Sequence, residues 1–280
     1  MIFVLQDGKN NLYQSIILDA INYFKENDIA WWGDNEKYPT GHMLSSQIQC
    51  LNYLFAMRKD KEAVLELAQL FDSEIDDVCH TLNDFDPGFI AFEFAYKNEE
   101  LLGENDDGAK RGTKCTSIDA FIIAKKGDKK ILIPVEWKYT ESYLDCENKA
   151  LEISSGKKRQ SRYNHLILSS HQLKPFSDLP NSAYYFEPFY EFMRQTLLVE
   201  QMIKRGLADD FLHVVIISEK NEDLLGSSYK FSPDNLETIW RNCLTDQAKF
   251  KLVQNSKLLS IFEKREEYND LFNYLNQRYF

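Results

Sequence analysis

Asp119, Glu136 and Lys138 are the side chains of this chain best suited to chemistry. Two carboxylates supply hard oxygen ligands for a divalent cation, and an ammonium beside them stabilises developing negative charge. Two apolar runs carry the set: Ser117-Ile118-Asp119-Ala120-Phe121-Ile122-Ile123 and Ile131-Leu132-Ile133-Pro134-Val135-Glu136-Trp137-Lys138. Both are rich in β-branched and aromatic residues and predict strands. Between them lies Lys125-Lys126-Gly127-Asp128-Lys129-Lys130. A two-residue loop led by Gly suits a type II′ hairpin turn. Counting back from Gly127-Asp128 brings Asp119 opposite Glu136, and a four-residue loop centred there keeps the same partners.

Glu136 and Lys138 are two residues apart and share a face, which their cross-strand partner Asp119 joins. Opposed carboxylates repel unless a cation lies between them. The other residues of that face, Phe121, Ile123, Leu132 and Pro134, are apolar. The charges therefore gather at one end of an apolar face, which places a site at the rim of the sheet. The plainer alternative is a surface Glu-Lys pair with an unrelated Asp on an edge strand. It leaves unexplained why the triad interrupts strands that read as buried on both faces.

An Asp, a hairpin, then a hydrophobic strand carrying Glu-x-Lys resembles the PD-(D/E)XK nuclease superfamily. Here it stands as Ile118-Asp119 and Val135-Glu136-Trp137-Lys138, followed by Tyr139-Thr140-Glu141. No proline stands beside Asp119, a departure that the superfamily tolerates. Fainter likeness to a bacterial restriction endonuclease branch lies in 41–47 (Gly-His-Met-Leu-Ser-Ser-Gln), 136–141 and 192–198. The resemblance implies an α/β fold with a restriction-endonuclease-like αβββαβ core. Its mixed central sheet would be flanked by helices, with helical N- and C-terminal additions. The core elements would be a strand over 87–96, the hairpin over 116–138, a helix over 188–205 and a strand over 211–218. One domain over 1–280 is expected, with a helical part at 1–84, the core at 85–220 and a helical part at 221–280.

The same resemblance implies Mg²⁺-dependent hydrolysis of DNA, with Mn²⁺ able to substitute. Asp119 and Glu136 would be the metal ligands, with the Trp137 backbone carbonyl as a third. Lys138 would position the attacking water and stabilise the transition state. It also implies polar residues of the 188–205 helix near the site, Gln195 ahead of Arg194. The cellular role would be restriction or defence, and cutting two strands would suit a homodimer. The rivals are a catalytically silent nuclease fold that binds nucleic acid or a partner protein, and a purely structural α/β domain.

The 280 residues, 44% of them hydrophobic, suffice for a large core, and 11 Gly with 7 Pro argue against a loop-rich chain. No apolar run has the length of a membrane span and no secretory signal is visible, so a cytoplasmic location is expected. Five scattered cysteines without C-x-x-C spacing read as thiols, and the five histidines are equally dispersed. A net charge of −11 counts against a protein that coats nucleic acid but leaves room for a local basic groove. The phosphate-cradling glycine motifs of nucleotide-cofactor sites are absent.

Along the chain, helical spacing predicts helices over 11–24, 44–57, 61–70 and 73–82, and again in the tail from 234 to 280. Asp72 and Ser73 read as N-caps, Trp31-Trp32-Gly33 as a packed loop, and Phe272, Tyr274, Leu275 and Tyr279 as residues docking on the core. Glu93, alone among the apolar residues from Phe89 to Tyr96, is either a third acid of the site or an edge charge facing solvent. Residues 98–116 read as an acidic then basic surface loop. The densest basic cluster, Lys157, Lys158, Arg159 and Arg162 with Tyr163 among them, is either a phosphate-contacting arm or a solvated loop.

Overall fold

Gly127 turns the central hairpin with φ +60°, a conformation that suits glycine, and no neighbouring atom lies within 4 Å of where its Cβ would be. Its flanking strands are β3 (Ile118–Lys126) and β4 (Lys129–Lys138). Pairing runs from Lys126↔Lys129 to Ala120↔Val135 without a slip, which is the register expected from the sequence. The computed structural model describes residues 3–33, 37–82, 85–96, 101–104, 111, 115–226 and 229–280.

The remaining strands are β1 (Asp77–Cys79), β2 (Ile90–Phe94), β5 (Asp210–Phe211), β6 (His213–Ile217) and β7 (Phe250–Gln254). They form a seven-stranded mixed sheet of order β1-β3-β4-β6-β7, with β2 also on β3 and β5 also on β4. β3 pairs antiparallel with β1, β2 and β4, whereas β6 runs parallel to both β4 and β7. The helices are α1 (Ile17–Glu26), α2 (Ser46–Leu54), α3 (Lys61–Phe71), α4 (Gly156–Leu168), α5 (Phe189–Lys204), α6 (Glu222–Leu225), α7 (Leu236–Cys243), α8 (Leu259–Glu263) and α9 (Asn269–Tyr279). This is the α/β architecture with a mixed central sheet and flanking helices that the resemblance implied.

Strand alternation sorts the core into two layers. Ile122, Ala124, Ile133, Val135 and Trp137 face α1, α2, α3 and the C-terminal helices, where Leu275 and Tyr279 are buried and Phe272 and Tyr274 half-buried. Phe121, Ile123, Leu132, Val215 and Ile217 face α4, α5 and α7. Asp119, Glu136 and Lys138 continue this second face to its rim. No helix among the described residues is long and apolar enough to cross a membrane.

Several sequence expectations are corrected. Residues 73–82 do not form a helix: Asp77–Cys79 pair with β3 instead, where Asp77 meets Lys125. The N-cap in that region is Asp60, which accepts from the backbone N–H of Glu62 and Ala63 at 3.1 Å, whereas Asp72 follows the end of α3. The tail is not wholly helical, since β7 extends the sheet. The basic cluster at 157–162 lies on a helix, α4, and not in a loop. Of Trp31-Trp32, Trp31 stacks on Phe24 in the core while Trp32 is 54% exposed.

Candidate active site

Three carboxylates lie level on three adjacent strands. Phe92↔Ala120 and Phe94↔Ile118 bracket Glu93 opposite Asp119, and one step past Ala120↔Val135 brings Asp119 level with Glu136. The edge-charge reading of Glu93 is overturned, because its side chain is buried and bonded. It accepts from Gln47 Nε2 at 2.6 Å and from Ser117 Oγ at 2.8 Å. Glu93 holds φ +45°, a left-handed conformation rare for a side-chain-bearing residue and one that concentrates at functional sites. The next side chain, Phe94, stacks on Phe121 in the layer that faces α4 and α5.

Lys138 is buried against Glu136, Nζ to Oε1 2.6 Å, and also pairs with Glu191 of α5. Gln195, one helical turn after Glu191, donates its amide to Glu136 Oε2 and to the Ser117 carbonyl. His213 on β6 lies 3.1 Å from Gln195 Oε1 through Nε2, and its Nδ1 lies 3.3 Å from Thr196 Oγ1. Asp119 Oδ2 accepts the backbone N–H of Trp137 at 2.7 Å. The Trp137 indole donates to Gln49 of α2 at 2.8 Å, locking the strand that carries Glu136 and Lys138.

Burial sets the protonation of these groups. It raises the Asp119 carboxyl well above the usual range, helped by the charges of Glu136 and Glu93 and only partly offset by Lys138. Burial likewise pushes Glu136 up to about 7 against the pull of Lys138, and raises Glu93 against Gln47 and Ser117. For Lys138 burial works against the charged form, but Glu136 and Glu191 outweigh it and keep the ammonium protonated. Burial presses His213 down to about 3, so it stays a neutral hydrogen-bonding imidazole.

All of these groups except His213 open into one cleft of about 680 Å³. Lys158, Arg159 and Arg162 of α4 line it as well, whereas Lys157 is exposed on α4 outside the cleft. A family model described as restriction endonuclease associating with ARP matches residues 6–280. The chain belongs to that family. No curated protein and no solved structure matches it. The fold is thus restriction-endonuclease-like in family as well as in architecture.

For the restriction-endonuclease-like cleft, metal fit can be judged from charge. Burial raises the proton affinities of Glu93, Asp119 and Glu136, and neighbouring carboxylates, in excess over Lys138, add to the rise. A divalent cation would relieve that excess. Among the described residues no three His, Cys, Asp or Glu side chains are grouped so as to hold a metal ion. Asp119 and Glu136 would therefore share a cation with water, phosphate and a backbone carbonyl, a sparse donor set that suits Mg²⁺. The N–H and C=O of one strand residue point the same way, so the Trp137 carbonyl lies on the Asp119 side of β4.

Sequence reasoning missed Glu191, Gln47, Ser117, Arg111 and His213. Glu191 could have been found, since it sits four residues before Gln195 on the same helix face. The described parts of 98–116 also differ from a plain surface loop. Arg111 is buried and donates Nε to the Glu93 carbonyl at 2.7 Å, and Glu104 accepts from Thr116 N and Oγ1 at 2.6 Å. Lys110 and Lys114, with Gly108 and Gly112, lie outside the described residues.

Proposed function

We propose that this chain hydrolyses phosphodiester bonds of DNA in a Mg²⁺-dependent reaction, as a restriction or defence endonuclease of the PD-(D/E)XK type. The observation that carries the reading is the convergence of Asp119, Glu136 and Lys138 at one rim of the sheet, with Lys138 bonded to Glu136 at 2.6 Å. Asp119 and Glu136 would hold Mg²⁺, which would supply charge neutralisation on the phosphate and acidify a water. Lys138, kept charged by Glu136 and Glu191, donates to the attacking water or to a phosphoryl oxygen and offsets charge built up in the transition state. Gln195 fixes the orientation of Glu136, and Trp137 N–H fixes that of Asp119. Lys158 and Arg162 meet the flanking phosphates along the cleft. The family description also supports action alongside ARP as a partner.

A second reading, a nuclease fold that binds DNA without cutting it, draws on one observation. Both Glu136 oxygens are already engaged, one by Lys138 and one by Gln195. Plasmid nicking with Mg²⁺ or Mn²⁺ separates the two. Nicking that Glu136→Ala abolishes supports the enzyme, nicking that survives it rejects the assignment, and binding without nicking supports the second reading.

A further inference from the structure

The two lips of the cleft differ in kind. Among the described residues, four of the five lining Lys and Arg side chains, Lys158, Arg159, Arg162 and Arg194, come from α4 and α5, the fifth being Lys138 itself. The other lip is Trp32, His42, Leu44 and the first turn of α2, and among the described residues it contributes no Lys or Arg to the lining. Trp32 stands 54% exposed there, its ring edge-on to His42 at 5.6 Å. Its backbone N–H is held by Gln47 Oε1 at 3.0 Å, and the same Gln47 donates to Glu93 at 2.6 Å. The backbone that carries the ring is thereby tied to the acid cluster.

A duplex presents phosphates on both sides of the scissile bond and keeps its bases stacked inside. Tyr163 and Tyr190 on the basic lip are buried, so the exposed ring is Trp32 across from the cations, which matches a strand whose phosphates lie to one side and whose bases lie to the other. The cleft volume of about 680 Å³ is of the size that encloses a small ligand, which suits a nucleotide-sized stretch of one strand. We infer that the cleft binds an unpaired polynucleotide strand, with its backbone on α4 and α5 and a base stacked on Trp32. This rests on the nuclease reading and narrows its substrate to a single-stranded, frayed or flipped-out segment.

Fluorescence anisotropy with a labelled oligonucleotide, alone and annealed to its complement, tests the inference in the full chain carrying Glu136→Ala. The single strand should bind more tightly than the duplex. Adding Trp32→Ala should weaken single-strand binding by about 5- to 150-fold, the loss of one base-aromatic stack. Adding Trp32→Phe should keep most of the affinity, and duplex binding should respond to neither change. Duplex binding as tight as single-strand binding, or single-strand binding indifferent to Trp32→Ala, overturns the inference. If the unsubstituted chain still cuts DNA in those cases, the nuclease reading survives. If neither form binds and nothing is cut, both fail together.

Discussion

The backbone N–H of Trp137 donates to the carboxylate of Asp119, and not to the backbone of the partner strand, at the point where the β3–β4 ladder ends. One oxygen of Asp119 thus closes the hairpin while the side chain lines the cleft. Asp119→Asn keeps an acceptor for Trp137 and removes the charge, so it should fold normally and lose Mn²⁺ binding. Asp119→Ala should lose the ion and also about 1–2 kcal/mol of stability, because the buried N–H is left unpaired. Calorimetric Mn²⁺ titration together with thermal melting separates the two effects. Full-strength Mn²⁺ binding by Asp119→Asn would remove Asp119 from the site.

Burial pushes the Glu136 carboxyl up from 4.5 to about 7. A cation needs it ionised, so binding displaces a proton wherever Glu136 is protonated. Affinity should rise as pH rises through about 7, and further where Asp119, itself raised by burial, gives up its proton. Titrations near neutral pH in buffers of different ionisation enthalpy should show proton release that fades in alkaline buffer. Proton-independent binding across that range contradicts the arrangement.

Lys138 sits between Glu136 and Glu191, and its removal leaves both carboxylates with Asp119 and without their ammonium. Lys138→Met should reduce cleavage by about 10²- to 10³-fold, the scale of losing one transition-state donor. It should also destabilise the ion-free protein by about 3–5 kcal/mol, since removing one partner strands buried charge. Mg²⁺ should then raise the melting temperature of Lys138→Met more than that of the unsubstituted protein. Equal increments would show that the cation does not share the charge balanced by Lys138.

The hairpin was legible because it is local: Gly127 fixes the turn and period two does the rest, which put Asp119 level with Glu136 before any tertiary contact was known. β1 was not legible, because Glu74, Asp76 and Asp77 look like a helical first turn and only pairing with β3 makes Asp77–Cys79 extended. α4 was hidden by Ser154-Ser155-Gly156, which reads as a breaker. Gly156 is there for space, since a Cβ would stand 2.1 Å from the Ala150 carbonyl oxygen. The signal that could have revealed the helix is the apolar spacing of Tyr163, Leu166 and Ile167. Glu93 stayed ambiguous because its burial depends on Gln47 and Arg111, which arrive from distant segments. The Gln195–His213 contact has no sequence signal, as it exists only once α5 lies across β6.

Gln195 can donate to Glu136 because its Oε1 faces His213 and its Nε2 faces the carboxylate. Gln195→Ala should therefore weaken Mn²⁺ binding by about 10- to 100-fold, the usual cost of removing a group that orients a ligand. Its melting temperature should change less than its affinity. Unchanged affinity would make Gln195 a packing residue only.

His213 adds a pH dependence of its own. Burial lowers it from 6.5 to about 3, so between those values the unfolded chain binds one more proton than the folded one at this position. Its contribution to stability is complete above pH 6.5 and is lost as pH falls toward 3. At pH 5 the loss should be about 2 kcal/mol, from 1.4 kcal/mol per pH unit over roughly one and a half units. The raised carboxyls act oppositely: Glu136 and Asp119 take up protons on folding and favour the folded state as pH falls. Total stability therefore mixes the two trends, and only a difference isolates His213. His213→Phe suits the surrounding Phe192, Trp240 and Phe250 rings and cannot titrate. Urea melts of both proteins at pH 7 and pH 5 should show the unsubstituted chain losing about 2 kcal/mol more than the variant. Parallel losses would mean that His213 accepts its proton within the fold, and the neutral imidazole facing Gln195 would have to be abandoned.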